Sequence, residues 1–579
     1  MDKDLPSDFP TSISGSGGPT SSSRGPTVSE LRQRVETDPN LDPTQKRDRR
    51  SALNSYATHL GLAPERDPAT FYPNRSRLQK FVPAAHGIEK KTWGTILSNV
   101  TAVFRSYGIP VRIRPCPRDL LPAWRAMRDP LEERLKWRLS SMIHYFSAQG
   151  IDPAVVDDGE AAGFHRYLIE ETREKRPNAI FQSCCRSWNE ASDTVKGWPA
   201  TRLTVPEFRK RVRIEEGLFP ASLREEIDRW RGLMSGASLL DDRAPDKPFK
   251  PSTLFTKTEQ VWRYLSALVH SGAMRSSDVA SLELALAPKH FEAALTWYLR
   301  RDGKSTPGLA ETAATMLGIA RHWARLAPDS IKLLARACKR VNCRRVGMTS
   351  KNMQRLRPLL DPVIQQKLLA LPERLLAQAR RTKNPRKAAL LVQTALAIAI
   401  LLVAPIRLGN LLRLEMDKHL VYALPNRRGE LRLVLEGFEV KNGQDQQFII
   451  KGRTREILEL FIKRYLVELS NSATTKIFPG DVGGFKHEVT LRWQIMKAIR
   501  DHVGVEMNPH LFRHFAAANI LRKNPEAFAM VSFLLGHKSM QTAKDFYIAF
   551  VGTIINEYFQ DHVLEPARGK NRRPRKDGE

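Results

Sequence analysis

The chain is poor in cysteine and shows no secretory signal. Its five cysteines are an odd number among 579 residues. Cys184 and Cys185 are adjacent, and Cys338 and Cys343 have no His or Cys cluster beside them. A disulfide framework and a zinc site are therefore both disfavoured, and a reducing cytoplasm is expected. Residues 1–28 contain no apolar core, so no signal peptide is predicted.

A membrane span and a nucleotide-binding loop are also disfavoured. The apolar stretch 388–404 is interrupted by polar residues and is shorter than the roughly 20 residues that usually cross a bilayer. A buried helix is predicted there instead. Residues 302–305 resemble half of a phosphate-binding loop, but Tyr298 stands where its first glycine belongs. No cofactor, metal, small-molecule substrate or membrane partner is expected.

Positive charge is what the chain has in excess. There are 93 Lys and Arg against 62 Asp and Glu, giving a formal net charge of +31 and a pI near 10.1. Such a chain is suited to neutralising a polyanion such as nucleic acid. Aromatic residues within apolar periodic segments argue against a disordered basic protein, and the length predicts several domains.

The most informative segment is Asn508-Pro-His-Leu-Phe-Arg-His514. Pro509 suits the first turn of a helix, and Asn508 can cap it. His510 and Arg513 are three residues apart and project from one helical face. A cationic face of this kind is suited to a phosphate.

A second block follows closely. The apolar segment 528–535 predicts a buried helix, and Gly536 is its expected left-handed stop. His537 is thereby presented at the end of a packed element, and Tyr547 lies on the next predicted helix. Together with the first block, this gathers a cationic pocket beside a phenol, an arrangement suited to a phosphodiester.

Two further structural patterns lie upstream. Pro405 should end the apolar helix, and a new helix then begins with Arg407; Arg413, farther along, is expected to face solvent. Alternating leucines at 431–435 predict a half-buried strand. Asn442-Gly443 signals a hairpin, which places Lys441 at its tip.

The segments His510-Leu-Phe-Arg513, Leu535-Gly-His537 and Tyr547, ten residues after His537, resemble the C-terminal signature of the tyrosine recombinases, the phage-integrase family. That family also has an earlier Arg and a hairpin Lys, and the matching positions are Arg407 and Lys441.

The chain departs from the family pattern at one position and offers two competing residues. The acidic residue usual three positions after the early Arg is Asn410 here. His514 lies one residue off the face shared by His510 and Arg513, and is interpreted as supporting or structural. Tyr558 is interpreted as part of a packing helix rather than as the nucleophile.

The resemblance implies a site-specific recombinase or integrase that cuts and rejoins DNA through a covalent 3′-phosphotyrosine, without ATP or metal. Religation needs no ATP because the phosphotyrosine conserves the bond energy. The implied roles are phosphate binding by Arg407 and Arg513, protonation of the leaving 5′ oxygen by Lys441, proton acceptance by His510, hydrogen bonding to the scissile phosphate by His537, and nucleophilic attack by Tyr547.

The implied fold is mainly α, with N-terminal helical units of the SAM-like, core-binding kind before an α+β catalytic domain that contains a small antiparallel sheet. The implied partner is double-stranded DNA, bound by a homo-tetramer on paired sites. The predicted divisions are a disordered segment 1–39, helical units 40–115, 116–247 (with a linker) and 248–349, a catalytic domain 350–565 and a basic disordered tail 566–579.

Two other functions remain open at this point. A topoisomerase-like monomer would nick and reseal DNA with the same residues. A DNA-binding regulator would keep those residues only as relics, although a protein that only binds DNA has no need of Tyr547.

Overall fold

The computed structural model describes residues 25–560 and 564, except 72, 110, 112–119, 171, 173, 175, 209–211, 239, 344–346, 425–427, 442, 471–473, 482 and 538. The predicted tail 566–579, the predicted disorder of 1–24 and the Tyr558 side chain lie outside the described residues. The chain divides into two compact units, one formed by residues up to Pro206 together with those from Met348, and the other by Glu207–Gly347.

The first helical module begins earlier than predicted. Thr27 and Glu30 form a reciprocal capping box, with Thr27 N donating to Glu30 Oε2 (3.0 Å) and Glu30 N to Thr27 Oγ1 (3.2 Å). Val28, Leu31 and Val35 are then buried on one face. The prediction of disorder through residue 39 is therefore wrong for 28–37. The helices are α1 Val28–Thr37, α2 Pro43–Leu60, α3 Arg75–Lys80 and α4 Lys90–Ser106.

The second module packs around large aromatic side chains. Trp124, Phe146, Phe164 and Trp188 are fully buried and share one core. That core ends at Leu203. Its helices are α5 Pro122–Arg128, α6 Glu133–Ala148, α7 Asp158–Glu170 and α8 Pro177–Thr194.

The other compact unit, Glu207–Gly347, contains its own hydrophobic core, which runs from Phe219 to Val341. The predicted boundary at 247/248 is therefore too late, because the first helix of this unit packs inside that core. Its helices are α9 Ala221–Met234, α10 Pro251–His270, α11 Leu282–Ala285, α12 Pro288–Asp302, α13 Pro307–His322 and α14 Pro328–Arg340.

The C-terminal module combines helices with three strands. It contains the largest core of the described residues, centred on one long apolar helix. Its elements are α15 Ser350–Leu356, α16 Pro362–Leu369, α17 Leu371–Arg380, α18 Pro385–Val403, α19 Leu408–Leu412, α20 Met416–His419, β1 Leu420–Leu424, β2 Arg428–Leu435, β3 Gln446–Ile450, α21 Gly452–Leu460, α22 Glu488–Val503, α23 Leu511–Lys523, α24 Phe528–Leu535 and α25 Met540–Phe559.

Helix α18 is the apolar helix that the sequence predicts. It is the one helix of the described residues long and apolar enough to cross a bilayer by length and composition, with 67% of its most apolar window buried inside the protein. Its residues from Ala388 to Leu401 are almost all buried, which identifies α18 as the core helix of this module.

The sheet is antiparallel in the order β1-β2-β3. Leu431, Leu433 and Leu435 are buried on one face, which confirms the predicted alternation. The last paired residues of β2 and β3 are Leu435 and Gln446. The predicted hairpin and its returning strand are therefore confirmed, with Lys441 in the connection 436–445. The pairing ends too early for a two-residue turn at 442–443, and Asn442 itself lies outside the described residues. The mainly helical fold with a small antiparallel sheet is confirmed.

Helix α24 departs from expectation on one face. Phe528, Val531 and Leu535 are buried, but Phe533 is 89% exposed and Met530 is 61% exposed. The prediction of a fully buried helix is wrong, because α24 packs along one side only and leaves an apolar side uncovered among the described residues.

Candidate active site

The break at Pro405 positions the first arginine. Helix α18 stops at Ala404, and Ile406 N donates to Ala404 O (2.7 Å), which turns the chain sharply. Arg407 is extended (φ −70°, ψ 146°) and occupies the position just before α19. Its side chain is half-buried, and loss of solvation lowers the pKa of its guanidinium. Arg413 is exposed, as predicted.

Arg513 forms hydrogen bonds with two separate segments of the site. It is only 3% exposed. Its Nη1 donates to Pro405 O (2.8 Å) and its Nη2 to Leu535 O (2.6 Å). Each of these carbonyls lies two residues before another site residue, Arg407 and His537 respectively. Burial and then the charge of Arg407 lower the pKa of Arg513 to about 10, so it remains a cation at neutral pH.

His510 lies immediately before the first residue of α23. Asn508 Oδ1 accepts a hydrogen bond from Leu511 N (3.1 Å). The helix begins at Leu511 with His510 at the N-cap position, so the prediction of Asn508 as the cap and Pro509 in the first turn is wrong. The His510 side chain is exposed. Desolvation by neighbouring atoms, then Arg513 and Arg407, lower its pKa, so the ring is neutral at pH 7.

His537 follows the predicted helix stop. Gly536 adopts the left-handed conformation (φ 57°, ψ 47°), and His537 N donates to Ser532 O (2.8 Å). Burial, followed by Arg513 and Arg407, lowers the pKa of His537 to about 4. Its Nδ1 is buried and has no hydrogen-bond partner among the described residues, so this nitrogen is available for a ligand.

Tyr547 lies inside the protein at the same place. It is 1% exposed, and its ring packs with Val531 and Leu535 in a small apolar cluster. Its hydroxyl is 2.8 Å from His514 Nδ1. Burial raises the pKa of Tyr547, and the nearby charge of Arg513 opposes this shift. The phenol is therefore protonated in the free protein.

His514 is the residue whose importance the sequence interpretation missed. It is 3% exposed and contacts both Tyr547 and His510, whose ring centroid lies 4.9 Å from its own. Burial, then His510, Arg513 and His537, lower its pKa to about 3. His510 and His514 are four residues apart, a spacing that places both on one helical face, and this signal could have found the contact.

Lys441 is the predicted residue that the structure does not bring to this group. It lies in the 436–445 connection and its side chain is exposed. None of the contacts found within the described residues joins it to the pocket. The structure thus gathers five of the six predicted residues and adds His514.

The electrostatics of this group suit an anion. Within the described part of the chain, the groups that shift the pKa values of His510, Arg513, His514 and His537 are cations, other histidines and Tyr547, with no carboxylate among them. Two guanidiniums in one pocket favour a bound phosphate or similar oxyanion, which Arg binds through paired N–H donors.

Anion binding should strengthen as the pH falls. A bound dianion favours the charged form of the nearby histidines and therefore raises their lowered pKa values. Once the pH falls below these raised pKa values, the histidines gain protons as the anion binds. Calorimetry with sulfate, whose charge is constant between pH 8 and 5.5, should show affinity rising by up to about tenfold per pH unit for each proton taken up. Affinity that stays flat or falls on acidification would contradict this electrostatic account.

No family model matches the chain, and the comparison with curated proteins finds no match. Among solved structures, the chain is similar to XerA recombinase (14% identity, TM-score 0.23, 59% of this chain and 98% of that one). It is also similar to XerH site-specific recombinase bound to a palindromic difH substrate in a post-cleavage complex (15%, 0.32, 61% and 99%). A third is a lambda integrase tetramer bound to a Holliday junction (14%, 0.33, 65% and 87%).

All three are tyrosine recombinases, the family that the sequence resembles. Because every one of these TM-scores is below 0.5, the case for function rests on the residues of the site themselves.

Proposed function

We propose that the protein is a tyrosine recombinase that cuts and rejoins double-stranded DNA at specific sites, acting in the cytoplasm on nucleoid DNA. The observation that carries this proposal is the pairing of a buried tyrosine with a cationic pocket. The hydroxyl of Tyr547 lies within reach of the charge of Arg513. Arg513 in turn fixes the segments that present Arg407 and His537.

In the proposed reaction, the Tyr547 oxygen attacks the phosphorus of the scissile phosphodiester. A phosphorus–tyrosine bond forms while the bond to the 5′ oxygen breaks, leaving a 3′-phosphotyrosine and a 5′ hydroxyl. Arg407 and Arg513 stabilise the extra negative charge on the non-bridging oxygens more strongly in the transition state than before it. Attack by a 5′ hydroxyl on the phosphotyrosine reverses the step, so no ATP is consumed.

Two protons must move in this step. The phenolic proton passes to Nδ1 of His514, the atom that the hydroxyl already contacts at 2.8 Å, when the ring is in its Nε2–H tautomer. This geometry favours His514 over His510 as the first acceptor. We assign protonation of the leaving 5′ oxygen to Lys441, whose exposed position in the β2–β3 connection lets it approach bound DNA.

Replacing His514 should slow cleavage without weakening DNA binding. His514→Ala removes the contact that orients the Tyr547 hydroxyl, and general-base contributions are typically about 10²–10⁴-fold. His514→Gln, whose side-chain oxygen can still accept from the hydroxyl, should recover part of the rate. Single-turnover cleavage at saturating DNA checks this, and the readout is the rate that His514→Gln recovers over His514→Ala. Equal rates in His514→Ala and the unaltered protein would return the acceptor role to His510.

The exposed side of α24 supports assembly of several copies. Phe533 and Met530, on α24, and Ile548, on α25, are all largely exposed, and exposed apolar patches commonly mark protein contacts. We propose that this side contacts a neighbouring copy within a homo-tetramer on paired DNA sites. A topoisomerase-like monomer would have no use for such a face.

Trapping the covalent intermediate tests the proposed function. Duplexes from DNA flanking the native gene, nicked close to candidate sites so that a short fragment is lost after cleavage, should give a protein–DNA complex resistant to SDS. The complex should form without ATP and in the presence of EDTA, because neither nucleotide nor metal enters the proposed step. Site-specific binding without any covalent complex would instead identify a DNA-binding regulator.

A further inference from the structure

A large basic cleft lies away from the residues of the candidate active site. Its volume is about 950 Å³, and its walls come from the first helical module and from helices α16, α17, α18 and α22. Most of the charged side chains that line this basic cleft are Lys or Arg, and its aromatic side chains are Trp493 and His502.

Close packing of two segments forms one end of the cleft. Gly504, which ends α22 in the left-handed conformation (φ 90°), lies against the turn at Ala85: a Cβ added to Gly504 would be 2.5 Å from Ala85 N. Beside this contact, Lys90 Nζ is 2.8 Å from Asp501 Oδ2. The first helical module and α22 are therefore in direct backbone contact, and the cleft is part of a packed arrangement.

The charge of the cleft is largely uncompensated. Seven of its lining residues are Lys or Arg and only two are acidic. Asp501 already forms ion pairs with Lys90 and with Lys497, whose Nζ is 2.6 Å from Asp501 Oδ2. No ion pair or side-chain hydrogen bond within the described residues involves the remaining five basic side chains, Lys91, Lys367, Arg374, Arg381 and Lys387. An anion with several charges would compensate them.

An aromatic surface lies within the same cleft. Trp493 is 58% exposed, although most tryptophans of folded proteins bury the larger part of their ring. Lys497 Nζ lies 5.9 Å from its ring centroid. A planar base can stack on such a ring, as bases do on the aromatic side chains of proteins that bind single strands.

The size of the cleft limits the ligand. About 950 Å³ falls in the range of small-molecule sites, about 300–1,000 Å³. One base with its phosphates fits a cleft of this size.

We propose that the basic cleft binds a nucleotide-like ligand, with its base stacked on Trp493 and its phosphates held by the basic side chains without partners. This site goes beyond the proposed strand-transfer reaction, which needs no nucleotide. The same chemistry could come from a free nucleoside polyphosphate or from one strand of DNA. Because the ligand would contact both the first helical module and α22, its binding would stabilise their contact.

The test uses the full-length protein with a fluorescent nucleoside triphosphate, mant-ATP, followed by anisotropy. Arg374→Glu and Lys387→Glu should each weaken binding at least about tenfold, since charge reversal replaces attraction by repulsion. Arg380→Glu and Lys383→Glu are matched controls: both residues are exposed and neither lines the cleft, so each should weaken binding clearly less than the cleft variants do. Trp493→Ala should weaken mant-ATP binding but leave inorganic tripolyphosphate binding unchanged.

Two further measurements complete the test: binding of a DNA strand and formation of the covalent complex. One outcome is that a labelled oligothymidylate binds and mant-ATP does not. If oligothymidylate binding is then weakened by Arg374→Glu and Trp493→Ala, the cleft takes a base with phosphates as proposed, and the source of the ligand is a DNA strand. Absence of binding by both probes at millimolar concentration, or equal losses in the Arg374→Glu and Arg380→Glu proteins, would overturn the proposal. Covalent complex formation by Arg374→Glu should persist, which separates failure of this site from failure of the recombinase proposal.

Discussion

Tyr547→Phe is expected to abolish the covalent protein–DNA complex while leaving the protein folded and able to bind DNA. The substitution keeps the ring, which packs against Val531 and Leu535, and removes only the attacking oxygen. Loss of a covalent nucleophile lowers rates by about 10⁴-fold or more. SDS gels of the nicked-substrate reaction measure this directly.

The cost of this substitution to folding should be small. It removes the hydrogen bond between the hydroxyl and His514, and about 1 kcal/mol is typical for such a bond. Tyr558→Phe is the matched control, since it removes a phenol from the same C-terminal segment and should leave the covalent band intact. A covalent band of normal intensity from Tyr547→Phe would show that another residue is the nucleophile.

Arg513→Lys is expected to lose most cleavage activity despite keeping a positive charge. Arg513 donates to Pro405 O and Leu535 O at once, and a single ammonium cannot reproduce that fork while also binding phosphate. Losing one fixed oxyanion donor costs about 10²–10³-fold, and displacement of the segments that carry Arg407 and His537 adds to this loss. Single-turnover cleavage at saturating DNA measures the effect.

Stability should fall in the same variant. The carbonyls of Pro405 and Leu535 would lose a buried partner, and each unsatisfied group costs about 1–3 kcal/mol; denaturant unfolding reports this change. Arg413→Lys serves as the control, because Arg413 is exposed and should tolerate the exchange. Cleavage at the normal rate by a folded Arg513→Lys protein would show that the guanidinium fork is not needed.

Local chemistry made several features predictable from sequence. Proline cannot continue a helix, so the stop of α18 before Pro405 follows from one residue. Gly536 ends α24 because only glycine adopts the left-handed conformation without strain. The leucine alternation in β2 identifies its buried face. These local rules position Arg407, His537 and the sheet.

Contacts between distant segments were not predictable in this way. The hydrogen bond between His514 and Tyr547 depends on how α25 packs against α23, which no spacing within either helix specifies. The one-sided packing of α24 likewise depends on its neighbours, since Phe533 is as apolar as the buried Phe528. The β2–β3 hairpin was predictable, but the Asn442-Gly443 signal did not specify that the strand pairing ends at Leu435 and Gln446.

Mass spectrometry of the trapped complex tests the central claim most directly. After nuclease and protease digestion, one peptide should carry a nucleotide remnant joined through its 3′ phosphate to the phenolic oxygen of residue 547. The remnant should disappear when the digest comes from a reaction with Tyr547→Phe. A remnant attached to any other side chain, or through a 5′ phosphate, would contradict the account.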